Sequence, residues 1–182
     1  MNTLLVAATH RSGSYLLCDL LSQIGDLPYP EEHFNLKLKV AREKLQLSGA
    51  VPNHEVFKSF LDSRELAQKM FTVKAMWSAF SNVCLNYGED NTLSSTSSPD
   101  QIYNKLGNIS ILFIRRRDKI RQAVSFEIAK QSGVWRKRKS EKFSKIELLY
   151  SYPRILASLE QIKDDEASWL KFFKDRKLPY HE

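Results

Sequence analysis

Apolar and polar positions alternate along the chain in blocks that switch between strand-like and helix-like spacing. Thr3–Ala8 is a short, nearly unbroken apolar run and predicts a strand buried on both faces. Ser12-Gly13-Ser14 then opens a helical spacing of Leu16, Leu17, Leu20, Leu21 and Ile24, with Gly25 as a C-terminal stop. Pro28 and Pro30 keep the next stretch extended. Helical spacing recurs from about Phe34 to Leu47 and from His54 to Met70, the second with Asn53 as N-cap and Phe57, Phe60, Leu61 and Leu66 as its apolar side. Phe71–Met76 predicts a second buried strand, followed by a short helix from Trp77. Gly88–Ser98 is polar and reads as a surface loop, after which Pro99 opens a short helix that Gly107 closes. Ile109–Ile114 is the clearest strand pattern. It runs directly into Arg115-Arg116-Arg117 and a helix from Asp118 to about Gln131. Ser140–Lys177 reads as mostly helical, with a break or restart at Pro153.

Strands alternating with helices imply parallel strands joined by helical crossovers, hence a doubly wound α/β fold. Neither a repeat nor a linker interrupts residues 1–182, so a single domain is expected. In such folds ligands sit beyond the carboxyl ends of the strands. The turns at Thr9–Ser14 and Arg115–Asp118 should therefore share one rim.

Composition narrows the possibilities. The 182 residues are 42% hydrophobic and 27% charged, enough for one sizeable core. The lack of a bilayer-length apolar run or a secretion-type N-terminus makes cytoplasmic residence the expectation, with no membrane span. Cys18 and Cys84 sit among apolar residues and read as core side chains. His10, His33, His54 and His181 are scattered, so no metal site is expected. The net charge of +7 suits nucleic acid, an anionic surface or a polyanionic small molecule. Trp135-Arg136-Lys137-Arg138-Lys139, with Lys142 and Lys145, keeps a nucleic-acid-binding module as a rival. The same charge would also steer an anionic nucleotide.

Two segments carry candidate chemistry. Thr9-His10-Arg11-Ser12-Gly13-Ser14-Tyr15 follows a buried strand and begins a helix, where outward N–H groups and the helix dipole favour an anion. Gly13 permits close backbone approach, Ser12 and Ser14 offer hydroxyls, and Arg11 a forked cation. An ordinary helix cap remains the alternative. The segment is not the Lys-containing loop that a nucleotide kinase needs, and no carboxylate is evidently placed for magnesium. In the second segment, Arg117 lies at a turn and Ser125 about two helical turns further on, so a guanidinium and a hydroxyl can surround one phosphate. A solvated basic helix start is the alternative there. Two such turns on one rim suit a ligand with two separated phosphates.

At these residues the sequence resembles the bacterial trehalose sulfotransferase-like family of enzymes that use 3′-phosphoadenosine-5′-phosphosulfate (PAPS). Arg11-Ser12-Gly13-Ser14 resembles the family's 5′-phosphosulfate loop, and Arg117 through Ser125 its 3′-phosphate element. Pro30-Glu31-Glu32-His33-Phe34, Val73-Lys74-Ala75-Met76-Trp77 and Gln122-Ala123-Val124-Ser125-Phe126 continuing to Gly133-Val134-Trp135-Arg136 extend the match, in order, to about Phe173. The resemblance implies sulfuryl transfer from PAPS to a carbohydrate or glycolipid hydroxyl, leaving adenosine 3′,5′-bisphosphate, without a metal and in a P-loop-like parallel sheet flanked by helices. It implies Glu32 as general base, with Glu31 and His33 as nearby substitutes. Arg11 would stabilise the leaving 5′-phosphate, while Ser12, Gly13, Ser14, Tyr15, Arg117 and Ser125 complete the nucleotide site. It also implies an acceptor pocket drawn from His10, Glu31, His33, Phe34 and Trp77, although core packing explains Trp77 equally well. A homodimer is a further implication.

Two departures stand out. The family usually has Thr where this sequence has Tyr15, which removes one small hydroxyl from the phosphate loop. The sequence also stops at Leu178-Pro179-Tyr180-His181-Glu182, where the resembling enzymes continue into another strand and further helices. The chain is therefore expected to lack the family's C-terminal strand and helices, and a catalytically degenerate PAPS-binding homologue is the alternative to an active transferase.

Overall fold

A computed structural model describes residues 2–24, 27–35, 70–84, 106–136 and 147–182. The helices expected over 36–69, the 88–98 loop, the helix opened by Pro99, the Gly25 stop and the basic residues 137–145 lie outside them, as does the Cys84 side chain.

Strands β1 (Asn2–Ala8), β2 (Met70–Met76) and β3 (Asn108–Ile114) form a parallel sheet in the order β2-β1-β3. Helices α1 (Ser14–Leu21), α2 (Trp77–Cys84), α3 (Lys119–Ser132) and α4 (Tyr152–Asp175) follow the strands or close the chain. This is the α/β fold expected from the alternation of elements. The register is flush: Asn2 pairs with both Met70 and Asn108, and Ala8 with both Met76 and Ile114. All three strands therefore end at one rim, and each hands the chain to a turn or helix there.

Strand pleating divides the side chains between two layers. Leu5 and Ala7 join Phe71, Val73, Ala75, Ile111 and Phe113 on the face covered by α2 and α4, where Phe80, Trp169, Phe172 and Phe173 fill the core. Val6 points the other way, with Leu4, Leu112 and Ile114, against Cys18 and Leu21 of α1. Cys18 is the core residue expected of it. The apolar spacing of α1 is broader than its buried face, since Leu16, Leu20 and Ile24 are exposed. α3 packs on α4 through Ala123, Phe126 and Ile162.

Helix α4 is the restart at Pro153 rather than a break. Its 24 residues run unbroken, with Pro153 in the first turn. An amide proton is unneeded there, so Pro153 starts the helix rather than breaking it. Asp118 caps α3 by accepting from the Arg121 N–H, and Gly133 closes it in a left-handed conformation.

Both sheet edges receive extended chain. The Lys74 N–H donates to the Glu31 carbonyl at 2.9 Å, so the segment carrying Glu31 runs beside β2. At the other edge the Phe113 N–H donates to His181 at 2.8 Å and the His181 N–H to Ile111 at 3.0 Å. The edge of β3 is thus partly covered by residues 178–182, in a parallel sense.

Candidate active site

The strand rim opens into a cavity of about 950 Å³, lined by the turn from His10 to Tyr15 and by Glu32, Asn35, Met76, Arg116, Ser125, Trp135 and Arg136. That volume accommodates a nucleotide-sized ligand.

β1 delivers the chain into a turn held from several sides. The Ala8 carbonyl accepts from Trp169 Nε1 at 3.1 Å. Fully buried Gln122 of α3 donates through Nε2 to Thr9 Oγ1 at 3.0 Å and to the His10 carbonyl at 2.7 Å. Arg11 has φ 62° and Gly13 φ 103°, both left-handed. A Cβ on Gly13 would meet only Ile114 Cδ1 at 3.8 Å, so the dihedral rather than crowding selects glycine. The left-handed Arg11 is strained for an L-residue, and strain of this kind persists where surrounding bonds impose it. Those bonds are from Nε to Ser125 Oγ at 2.9 Å and from Nη1 to the Trp135 carbonyl. Ser12 Oγ is buried on the cavity wall and has no hydrogen-bond partner among the described residues. An orphaned hydroxyl, a left-handed glycine and a helix start make a set that fits an incoming phosphate oxygen.

The second expected phosphate element divides. Ser125 reaches the cavity and meets Arg11, whereas Arg117 is exposed on the turn before α3 and is not among the described lining residues. Arg116, its neighbour in the same run, lines the cavity instead. His10 stacks on Phe126 with centroids 4.5 Å apart and tilts against Trp135 at 5.5 Å. Burial pushes its imidazole below the ordinary pKa, opposed by Glu32 and reinforced by Lys130 and Lys74, which favours the neutral ring.

Beside β2 lies a charged cluster. Lys74 belongs to the Thr72-Lys74-Met76 side of the strand, which alternation turns toward α1. Its Nζ is 2.7 Å from Glu32 Oε1, and Lys74 is 1% exposed. Asn35 Nδ2 donates to Glu32 Oε2 at 3.3 Å, and Tyr15 lines the cavity with Glu32. The Lys74 ammonium sits 3.1 Å from the centre of the Tyr15 ring. Burial works against ionising Glu32. The Lys74 charge 2.7 Å away prevails, with Asn35 and Tyr15 beside the carboxyl, and holds it below its ordinary range. Burial also lowers Lys74, against the pull of Glu32, and with Glu32 raises the Tyr15 phenol to about 12. At neutral pH Glu32 is therefore a carboxylate, paired with Lys74, and the Tyr15 phenol is neutral.

The other expected acceptor contacts lie elsewhere. Phe34 is a core residue edge-on to Phe80 at 5.3 Å. Trp77 packs edge-on to Trp169 at 5.0 Å, in the core position that its strand–helix junction allowed. His33 stacks on Phe71 at 5.3 Å, and Glu31 reaches toward His33 at 4.0 Å. Of the expected acceptor-pocket residues, His10 lines the cavity and Glu31, His33, Phe34 and Trp77 are not among its described walls. Conversely, Asn35, Met76, Arg116, Trp135, Arg136 and the Lys74 behind Glu32 were not singled out from sequence as site residues. Lys74 did leave a signal: a lysine inside a strand buried on both faces requires a partner. Arg136 Nη2 grips both carboxylate oxygens of Asp19 at 2.6 and 2.8 Å, and its Nη1 donates to the Tyr29 hydroxyl at 3.3 Å. This ties the chain after α3 to α1.

Among the described residues, no group of three or more His, Cys, Asp or Glu side chains could hold a metal ion, and no helix is long and apolar enough to cross a membrane.

An anion-suited turn and an ionised, half-buried carboxylate on one cavity, at the carboxyl rim of a parallel sheet, are the working parts of a group-transfer enzyme. The chain matches the family model for Stf0 sulphotransferase over residues 3–180, and it belongs to that family. It is therefore a transferase of the sulfotransferase type. No curated protein matches the chain.

Proposed function

We propose that this protein moves a sulfuryl group from PAPS to a hydroxyl of a carbohydrate or glycolipid acceptor, with Glu32 as general base. The observation that carries this reading is that the Arg11–Ser14 turn and Glu32 wall the same cavity. The acceptor oxygen bonds to sulfur as the bond from sulfur to the 5′-phosphate oxygen breaks, and the acceptor proton passes to Glu32. Arg11 and the turn N–H groups stabilise charge on the departing phosphate, as phosphoryl-type transfers require. Ser12, Gly13 and Ser14 complete the 5′ side, while Ser125 and Arg117 take the 3′-phosphate. Neutral His10 forms part of the acceptor wall. The scheme uses no metal.

Calorimetric titration with adenosine 3′,5′-bisphosphate in chelator tests the donor site, with adenosine 5′-phosphate and ATP as controls. Selective binding of the bisphosphate is expected. Equal response to all three would remove the PAPS assignment. Incubation with PAPS and trehalose, read by mass spectrometry, then tests transfer. Glu32→Gln should bind the bisphosphate and transfer nothing. Undiminished transfer by that variant would end the base assignment.

A further inference from the structure

Trp135 is 40% exposed, yet it is held from behind: it stands on the cavity wall with its ring tilted against His10 at 5.5 Å and Phe126 at 5.9 Å. Phe126 is buried beneath, and His10 stacks on it at 4.5 Å with the planes 18° apart. Buried core thus backs two rings that line the cavity. A large aromatic side chain fixed on one side and open on the other presents a flat apolar surface that needs little ordering when a ligand arrives.

The place of these rings decides what they face. An acceptor hydroxyl must approach the sulfuryl group near Arg11 and give its proton to Glu32, so the ring that carries it lies along the wall joining those residues. His10 precedes Arg11 in the turn, and the Trp135 carbonyl accepts from Arg11 Nη1. The next residue, Arg136, has its guanidinium carbon 5.3 Å from the centre of the Tyr15 ring. The Lys74 ammonium that pairs with Glu32 lies 3.1 Å from that same centre. Trp135-Arg136 therefore spans from the arginine of the phosphate turn to the surroundings of the carboxylate. We propose that Trp135 is an acceptor-binding residue, whose indole takes the C–H face of a pyranose ring while a hydroxyl of that ring meets Glu32. This rests on the reading of the cavity as the site of a carbohydrate sulfotransferase.

Sugar chemistry fits such a wall. One face of a pyranose is a set of C–H bonds with slightly positive hydrogens, which match the negative π face of indole. The hydroxyls at its edge need donors and acceptors, and a neutral imidazole beside the indole offers one of each. Burial favours that neutral form of His10. The flanking cations are already engaged: Arg11 by Ser125 and the Trp135 carbonyl, Arg136 by Asp19. The His10 and Trp135 rings between them are uncharged, which suits a neutral acceptor better than a phosphate.

Tryptophan emission and calorimetry on the full chain test this. Of the three tryptophans, Trp77 and Trp169 pack in the core and Trp135 lines the cavity, so Trp135 is the one whose emission a cavity ligand should move. With adenosine 3′,5′-bisphosphate bound, trehalose and methyl glucoside should shift the emission, and glycerol, which has hydroxyls but no ring, should not. Trp135→Phe should abolish the shift yet keep sugar affinity within about threefold, because a flat ring remains. Trp135→Ala should weaken sugar binding about tenfold and leave bisphosphate affinity within about twofold. A loss of about tenfold in bisphosphate affinity in Trp135→Ala, with sugar binding unchanged, would make the indole a platform for adenine and overturn the inference. Wild-type emission unmoved by about 50 mM of either sugar, enough to fill a site of millimolar affinity, would overturn it as well and needs no variant to fold. Failure of the transferase reading looks different: sugar that moves the emission but receives no sulfuryl group from PAPS leaves Trp135 its ligand and removes the reaction. Protein that binds no bisphosphate is titrated with the sugars alone, and the emission then decides the role of Trp135.

Discussion

The two walls of the cavity are built from different physics. The donor wall, from Thr9 to Ser14, is held mostly by neutral bonds, Gln122 to Thr9 and the His10 carbonyl and Trp169 to the Ala8 carbonyl, with the Arg11 guanidinium bonding Ser125 and the Trp135 carbonyl around two left-handed residues. The wall beside β2 is held by charge, with Glu32 and Lys74 taken out of water together. Neutral bonds to a backbone fix a shape that changes little with pH. A buried ion pair fixes an orientation only while both partners stay ionised, and breaking it by removing one partner is costly. The first wall should thus fail gradually under substitution, and the second abruptly.

The largest expected effect follows from that contrast. Lys74→Met strands the Glu32 carboxylate and should destabilise the fold by about 3–5 kcal/mol in urea unfolding. The double variant Lys74→Met with Glu32→Gln removes both charges and should recover most of that loss. A double variant no more stable than Lys74→Met alone would mean that packing of the lysine stem, rather than the charge pair, supports this wall.

On the donor wall the matching change is Gln122→Leu. It leaves Thr9 Oγ1 and the His10 carbonyl without their shared donor, a loss of about 2 kcal/mol. Bisphosphate affinity should fall with it, because the turn is no longer pinned to α3. A variant that loses stability but keeps its affinity would show that the turn holds its shape without α3.

Smaller still is Gly13→Ala. At φ 103° an L-residue is strained, although Ile114 leaves room for the methyl group. The expected cost is about 1–2 kcal/mol, with weaker bisphosphate binding as the turn relaxes. Binding unchanged within error would detach the left-handed turn from ligand recognition.

This division also explains what the sequence disclosed. Donor-wall chemistry is local: Arg11, Ser12, Gly13 and Ser14 are consecutive, they sit between a strand and a helix, and both elements announce themselves by spacing. The flush sheet follows from three apolar runs of similar length. The charged wall joins Tyr15, Glu32, Asn35 and Lys74 from segments far apart in the chain, so contiguity could not reveal it. The family resemblance put Phe34 and Trp77 near a sugar, because an aromatic residue near a candidate base reads the same whether it faces a ligand or the core. Packing decided for the core. Only Lys74 carried its own warning, as a charge inside a strand otherwise buried. Placing Arg116 rather than Arg117 on the cavity wall needed the exact turn geometry before α3, which three successive arginines do not encode.

The smallest prediction separates the charged wall from a background that opposes it. Glu32 has a lowered folded-state pKa, so its stabilisation is complete above the ordinary carboxylate range and is lost as pH falls through the lower folded value. Asp165 on α4 does the reverse. Burial, helped by the neighbouring Asp164, raises its carboxyl to about 6, so the folded state holds that proton longer than the unfolded chain. Its contribution is greatest below its ordinary value of 3.8 and is lost as pH rises through about 6. Asp165→Asn should therefore stabilise the protein by about 1 kcal/mol at neutral pH, a figure reduced for partial solvation, and give no gain at pH about 3.5. In that background the acid-side loss of stability should steepen in wild type at Glu32 and flatten in Glu32→Gln. Identical curves for the two would mean that Glu32 titrates alike in the folded and unfolded chains, and the contrast between a neutral and a charged wall would no longer stand.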